Sequence, residues 1–195
     1  MAEKYGGVHA FLFLFEGDEV SPSAVVENLR LSIDRDAGPV LFAGTFEGDF
    51  QGFAHIADDD TQAVGDLIAG PLWEAGVRSH YVTEAKYHKN QQGQAMGPTR
   101  YSPRFLAIAR VYVSQPPTQV MENVARSFGD RLDQYGESLS PFIGASTVIG
   151  GFHLLVELGD DDRRALDRHV ESLRGVDGVG RLEVAVTDMG PTQAA

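Results

Sequence analysis

Two stretches decide the architecture: Ala43-Gly-Thr45-Phe-Glu-Gly48-Asp-Phe50 and Ala145-Ser-Thr147-Val-Ile-Gly150-Gly-Phe152. Their matches lie at a constant offset of 102 residues. The same offset carries Asp58-Asp59-Asp60 onto Asp160-Asp161-Asp162, Ala63 onto Ala165, and Gly76-Val77 onto Gly178-Val179. Nearer each start, Val25-Val26-Glu27-Asn28-Leu29 aligns with Val120-Met121-Glu122-Asn123-Val124 at offset 95. Blocks in the same order at nearly the same spacing mark an internal duplication. The chain of 195 residues is therefore expected to hold a first unit over 1–88, a linker over 89–100, a second unit over 101–189 and a frayed tail over 190–195.

Each half reads as strand, helix, strand, strand, helix, strand. Val8–Phe15 opens the first half, and Ser21-Pro22-Ser23 starts a helix, since Ser caps and Pro suits a first turn. Val25, Leu29 and Ile33 form that helix's inner stripe. Val40–Phe46 and Phe50–Ile56 flank a hairpin at Glu47-Gly48-Asp49, where Gly supplies the backbone freedom of a tight turn. A second helix carries Val64, Leu67, Ile68 and Leu72 inward, with Trp73 expected in the core, and Arg78–Lys86 closes the half. In the second half Phe105–Val113, Phe142–Val148, Phe152–Leu158 and Arg181–Thr187 are strands. Met121, Val124, Phe128 and Leu132, then Leu166, Val170 and Leu173, mark the helices.

Composition narrows the function classes. No run approaches the ~18–20 apolar residues of a membrane span, and the N-terminus lacks a signal-peptide pattern. A cytoplasmic protein with no membrane partner is expected. Zero cysteines exclude disulfides and thiolate metal sites, and a net charge of −12 disfavours nucleic acid. No phosphate-binding glycine motif and no nucleophile elbow is present. The acidic triplets lack the spaced oxygens of a calcium loop and read as helix caps.

A duplicated βαββαβ unit resembles two ferredoxin-like folds, the building block of the dimeric α/β-barrel superfamily. Fold class α+β with antiparallel sheets follows from that likeness. Gly48, Phe50, Asp58–Asp60 and Gly76-Val77, and again Gly150, Phe152, Asp160–Asp162 and Gly178-Val179, are similar to the effector-binding (RAM) domain of Lrp/AsnC-type regulators. Where that family places an Asp, this chain has Gln51 and His153, and no segment is spare for a helix-turn-helix. The resemblance implies an interior lined by the sheet faces turned away from the helices, a small-molecule ligand and a homo-oligomer.

Strand alternation sorts the faces. Phe105, Ala107, Ala109, Val111 and Val113 are expected beneath helices, as are Phe152, Leu154, Val156, Leu182, Val184 and Val186. The opposite face then gathers Arg110, Tyr112, His153, Glu157, Arg181 and Glu183, and the repeat adds Gln51, Phe53, His55, Tyr81 and Thr83. Arg110 suits a carboxylate or oxyanion, His153 a proton near neutrality, and Tyr112 a donor role. These three are the catalytic candidates if the protein is an enzyme. The ligand-binding candidates are Arg110, Tyr112, His153, Glu157, Arg181, Glu183, Gln51, His55 and Tyr81. No metal site is signalled. His80 and Glu84 lie ~13 Å apart along a strand, His9 has no visible partner, and His169 reads as structural. No cofactor is expected, although His55 or His153 leaves haem ligation open.

Three functions remain: a stand-alone small-molecule-binding or regulatory module that does not bind DNA, a dimeric α/β-barrel enzyme (cofactor-free monooxygenase, isomerase or haem-dependent), or a structural self-assembly protein. The first is the primary expectation.

Overall fold

The computed structural model describes residues 8–15, 21–34, 40–58, 60–74, 82–90, 103–128 and 141–190. The chain forms two compact units, Met1–Lys86 and Tyr87–Ala195. The first contains β1 (Val8–Leu14), α1 (Pro22–Asp34), β2 (Val40–Thr45), β3 (Gly52–Asp58), α2 (Thr61–Leu67, continued by a π turn over Ile68–Leu72) and β4 (Val82–Asn90), whose last residues run past the unit's limit. The second contains β5 (Phe105–Val113), α3 (Pro117–Phe128), β6 (Phe142–Ile149), β7 (Leu154–Asp160), α4 (Arg163–Arg174) and β8 (Val179–Asp188).

Strand order is β2-β3-β1-β4 in the first unit and β6-β7-β5-β8 in the second. Each sheet is antiparallel, with the first and third strands of the unit at its centre. The shared order suits a common physical problem. Each helix must cover one face of the sheet, and the alternation of strand side chains leaves the other face to a second set of residues.

The covered face of unit 2 packs Ala107, Ala109, Val111, Leu154, Val156, Leu158 and Val186 against Val120, Met121, Val124, Leu166, Val170 and Leu173. Unit 1 does the same with Ala10, Leu12, Leu14, Ala54 and Ile56 against Val25, Val26, Leu29, Val64 and Leu72. The acidic triplets are caps, as their position before a helix suggests. Asp60 accepts from the Gln62 amide, and Asp162 from the Arg164 amide, both at 2.8 Å. In each triplet the first Asp also accepts from the amide of the last. Glycine is required at Gly48 (φ +136°) in the hairpin. It is required again at Gly178 (φ +87°), where an added Cβ would lie 2.5 Å from Val120 Cγ2.

Several expected boundaries shift. The third strands begin at Gly52 and Leu154 rather than at Phe50 and Phe152, because hairpin hydrogen bonds from Phe46 to Gln51 and from Val148 to His153 occupy those segments. Phe152 consequently does not lie under the helices. Its ring packs against Arg110 on the opposite face. The strand expected over Arg78–Lys86 is Val82–Asn90, so residues 89–90 of the expected linker are strand. Trp73, expected in the core, is 52% exposed, because the π turn rotates the end of α2. Gly76-Val77, His80, Leu132, linker residues 91–100 and tail residues 191–195 lie outside the described residues. No helix among the described residues is long and apolar enough to cross a membrane.

Two substitutions measure this frame in denaturant titrations followed by circular dichroism. Leu158→Ala, at a fully buried site, is expected to lower the unfolding free energy by about 2–5 kcal/mol. Asp162→Ala, which removes a cap, is expected to lower it by about 1 kcal/mol.

Candidate functional site

The polar residues of unit 2 separate into two groups. At one end of β5, Arg110 faces Glu183 on β8 in direct register, and Tyr112 faces Arg181. The Arg110 guanidinium meets Glu183 at 2.8 Å, and Arg181 reaches the other Glu183 oxygen at 3.1 Å. Arg181 also lies 3.8 Å above the Tyr112 ring. Burial, joined by a hydrogen bond to Glu183, raises the Tyr112 hydroxyl above its usual 10. Two guanidiniums thus share the one Glu183 carboxylate. Arg110, expected to grip a ligand, instead holds Glu183 on one side and covers the Phe152 ring at 4.8 Å on another.

His153 belongs to the same end. Its ring meets Tyr112 edge-on at 6.3 Å, and its Nδ1 accepts from the Val113 amide at 3.1 Å. Its own amide donates to Val111 at 3.0 Å. The side chain is exposed, so His153 ties the hairpin to β5 rather than facing a closed interior.

Glu157 is different. It lies on β7 directly opposite Ile108, with Gly144 of β6 on its other side, and Ile108 is in turn opposite Ala185. Paired residues share a face, so one row across the sheet reads Gly144, Glu157, Ile108, Ala185. Glu157 is 1% exposed, and neither carboxyl oxygen has a hydrogen-bond partner among the described residues. Burial alone pushes its carboxyl from the usual 4.5 up to about 8. A charged carboxylate there would lose its hydration with nothing in exchange, so the neutral acid is the favoured form at neutral pH. Arg110, the next residue along β5 on that face, sits opposite Leu155 rather than Glu157.

In unit 1 the face turned away from the helices is aromatic. Phe13 meets Phe50 edge-on at 5.1 Å and Phe53 at 5.3 Å, and Phe11 lies 6.1 Å from Phe53. Phe42 and Phe46 extend the layer. Within it, His55 Nε2 and His9 Nδ1 are 2.9 Å apart. His9 thus has the partner that its sequence position did not reveal. Alternation in His9-Ala-Phe11-Leu-Phe13 carries the signal, hidden because the strand is apolar on both faces. Gln51 donates to the Gly48 carbonyl and braces the hairpin. His169 contacts Asp160 at 3.2 Å, a structural role. Tyr81 lies outside the described residues, as does the side chain of Thr83.

An axial haem ligand needs an open nitrogen in a dry setting. His55 is dry, with its Nε2 engaged by His9; His153 is exposed, so of these two only His55 meets the second condition. Among the described residues no three His, Cys, Asp or Glu side chains are grouped to hold a metal ion.

No protein-family description and no curated protein matches the chain. Solved structures do. An anthrone oxidase-like protein matches with a TM-score of 0.52 at 12% identity, over 100% of this chain and 98% of that one. A putative monooxygenase from Lactobacillus acidophilus matches with a TM-score of 0.52 at 13% identity, over 92% and 91%. A putative chlorite dismutase matches with a TM-score of 0.54 at 12% identity, over 93% and 94%. At such identities the likeness is one of fold alone. It does not single out the Lrp/AsnC effector domain.

The buried carboxyl has a stability signature. With a folded value near 8 and an unfolded value near 4.5, the folded chain holds a proton that the unfolded chain releases. Stability therefore falls with rising pH between those values, by up to about 1 kcal/mol per pH unit. It levels off above pH 8 and is unaffected by this group below pH 4.5. Glu157→Gln is expected to remove that slope, making the variant more resistant to urea than the parent at pH 8 and about equal at pH 4.5.

Proposed function

We propose that the protein is an enzyme of the dimeric α/β-barrel type, in which unit 2 moves a proton to or from a small uncharged substrate and Glu157 is the acid–base group. The observation that carries this reading is the carboxyl itself: fully buried, unpartnered among the described residues and raised to about 8 by burial. A value near working pH is what general acid–base catalysis needs, because both protonation states are then accessible. Stability offers no rival reason for the residue, since an apolar side chain of similar size would pack there without the desolvation penalty.

The surroundings define the substrate. Gly144 and Ala185 in the Glu157 row are small, and Ile108 is apolar. Arg110 holds Glu183 and sits opposite Leu155 rather than Glu157. A neutral, weakly acidic carbon or oxygen acid suits such a place. Of the readings left open by the sequence, this takes the enzyme over the binding module. The names of two structural neighbours, an anthrone oxidase-like protein and a putative monooxygenase, support the choice.

In an oxidation of the anthrone kind, Glu157 in its ionised form would take a methylene proton. The resulting carbanion would react with dioxygen, and the hydroperoxide would lose water to leave a ketone. One anthrone and one dioxygen would then give one anthraquinone and one water. The Arg110–Glu183–Arg181 network, with Tyr112, would keep β5 and β8 in register beside the reacting group.

Oxygen uptake with anthrone as probe tests the reading. Glu157→Gln is expected to lower kcat/KM about 10²–10⁴-fold and to abolish an inflection near pH 8, while His153→Gln retains activity. Gly144→Val, which adds bulk beside Glu157, is expected to raise KM more than it lowers kcat. Uptake by Glu157→Gln at the parent rate would sink the proposal.

A further inference from the structure

Arg181, Tyr112 and His153 meet at the exposed end of the unit 2 sheet, and none of them moves a proton in the Glu157 chemistry. Tyr112 stands four residues along β5 from Ile108, the residue opposite Glu157, a span of about 13 Å. The corner that these residues occupy is built by backbone bonds that both units share. The His153 amide donates to Val111 and its carbonyl accepts from Val148, just as the Gln51 amide donates to Leu14 and its carbonyl accepts from Phe46. Unit 1 makes that corner with Gln51 and with Phe15, the residue after Leu14, where unit 2 has His153 and Tyr112. The fold therefore does not ask for this donor set, and a ligand is a better reason for it.

Arg181 is held without being used up. Its side chain is 64% exposed, yet Nη2 donates to Glu183 at 3.1 Å and the guanidinium lies 3.8 Å over the Tyr112 ring. An exposed arginine ordinarily wanders among rotamers. Here an ion pair and a cation–π contact fix it, so a ligand need not supply the cost of ordering it. Glu183 is itself shared, since it also meets Arg110 at 2.8 Å and accepts from the Tyr112 hydroxyl. The two hydrogens of Nη2 belong to two different edges of the guanidinium. A bond through Nη2 alone therefore leaves one complete two-donor edge, whichever hydrogen it uses. Among the described residues, no other acceptor meets Arg181.

His153 supplies a second donor. Its Nδ1 accepts from the Val113 amide, so the ring hydrogen sits on Nε2, which meets no acceptor among the described residues. The imidazole stands perpendicular to the Tyr112 ring, which thus has the guanidinium over its face and the histidine at its flank. Gly151, two residues before His153, keeps the approach open, since a Cβ added there would meet only Arg110 Nη2, at 3.9 Å. A two-donor guanidinium edge matches the two oxygens of a carboxylate. The net charge of −12 disfavours a more highly charged guest at long range. We infer that Arg181, Tyr112 and His153 form a binding site for a small monocarboxylate. Its two oxygens take the free Arg181 edge, and His153 Nε2–H donates to the same molecule. This ligand is distinct from the uncharged substrate of Glu157.

Calorimetric titration of the full-length protein with benzoate, and with inorganic phosphate for comparison, tests the site. One benzoate per chain is expected, bound more tightly than phosphate. Arg181→Gln is expected to weaken benzoate binding about 10-fold or more. Arg181→Lys is expected to weaken it nearly as much, since lysine keeps the charge and loses the two-donor edge. His153→Ala is expected to cost about 3-fold, and Arg104→Gln, an exposed arginine at the other end of β5, to change nothing. NMR of the isotopically labelled parent is expected to show Arg181 Nε–H and the His153 ring shifting together as benzoate is added. That measurement stands even if the variants fold poorly. Equal affinity in the parent and Arg181→Gln, tighter binding of phosphate than of benzoate, or no saturable benzoate binding would overturn the assignment. Heat and chemical shift are read without oxygen uptake, so loss of uptake in Glu157→Gln bears only on the proton-transfer proposal.

Discussion

Antiparallel pairing of the first and third strands of each unit is the constraint on which the site depends. Phe11 faces His55 in one unit, and Ile108 faces Glu157 in the other. Paired residues share a face, so this register decides which side chains go beneath the helices and which turn away. A slip of one residue would drive Glu157 among Leu166, Val170 and Leu173. The apolar ladder Ala107, Ala109 and Val111 against Leu154, Val156 and Leu158 prevents it. The buried carboxyl is thus held in place by the apolar residues of the opposite face, since neither of its oxygens has a hydrogen-bond partner among the described residues.

The helix-covered faces of the two units are built alike, and the opposite faces are not. Phe13 and Arg110 stand at corresponding points, each against the phenylalanine that follows its hairpin glycine, Phe50 or Phe152. His55 and Glu157 correspond as well, 102 residues apart. Of the two faces, only the covered one must satisfy a helix. The other is free to vary, and here one is aromatic with a histidine pair while the other carries an ion-pair network and a buried acid. Chemical difference has collected where packing against helices imposes nothing.

Much of the fold was legible in the sequence, for reasons visible at particular residues. Val8–Leu14 and Phe105–Val113 are long apolar strands bounded by turn residues, and Leu166, Val170 and Leu173 recur at helical spacing. The Asp triplets announced two helix starts, and the observed caps are local hydrogen bonds. Errors occurred where a local signal met a non-local one. Phe152 looked like the first inward residue of a strand, yet hairpin bonding delays the strand and turns the ring toward Arg110. Trp73 continued an apolar stripe, but a π turn breaks the helical period that the stripe presumed.

By itself the sequence determined what depends on neighbours in the chain: element order, the caps, the hairpin glycines and the candidate face holding Arg110, Tyr112, His153 and Glu157. Only the tertiary structure decided how those candidates divide. It matched Arg110 with Glu183, moved His153 to an exposed edge, joined His9 to His55 across two strands, and left Glu157 buried. The physical reason is that a charge or proton affinity is set by what surrounds a group in space. The surroundings of Glu157 come from β6, its hairpin neighbour, and from β5 and β8, segments farther from it in sequence.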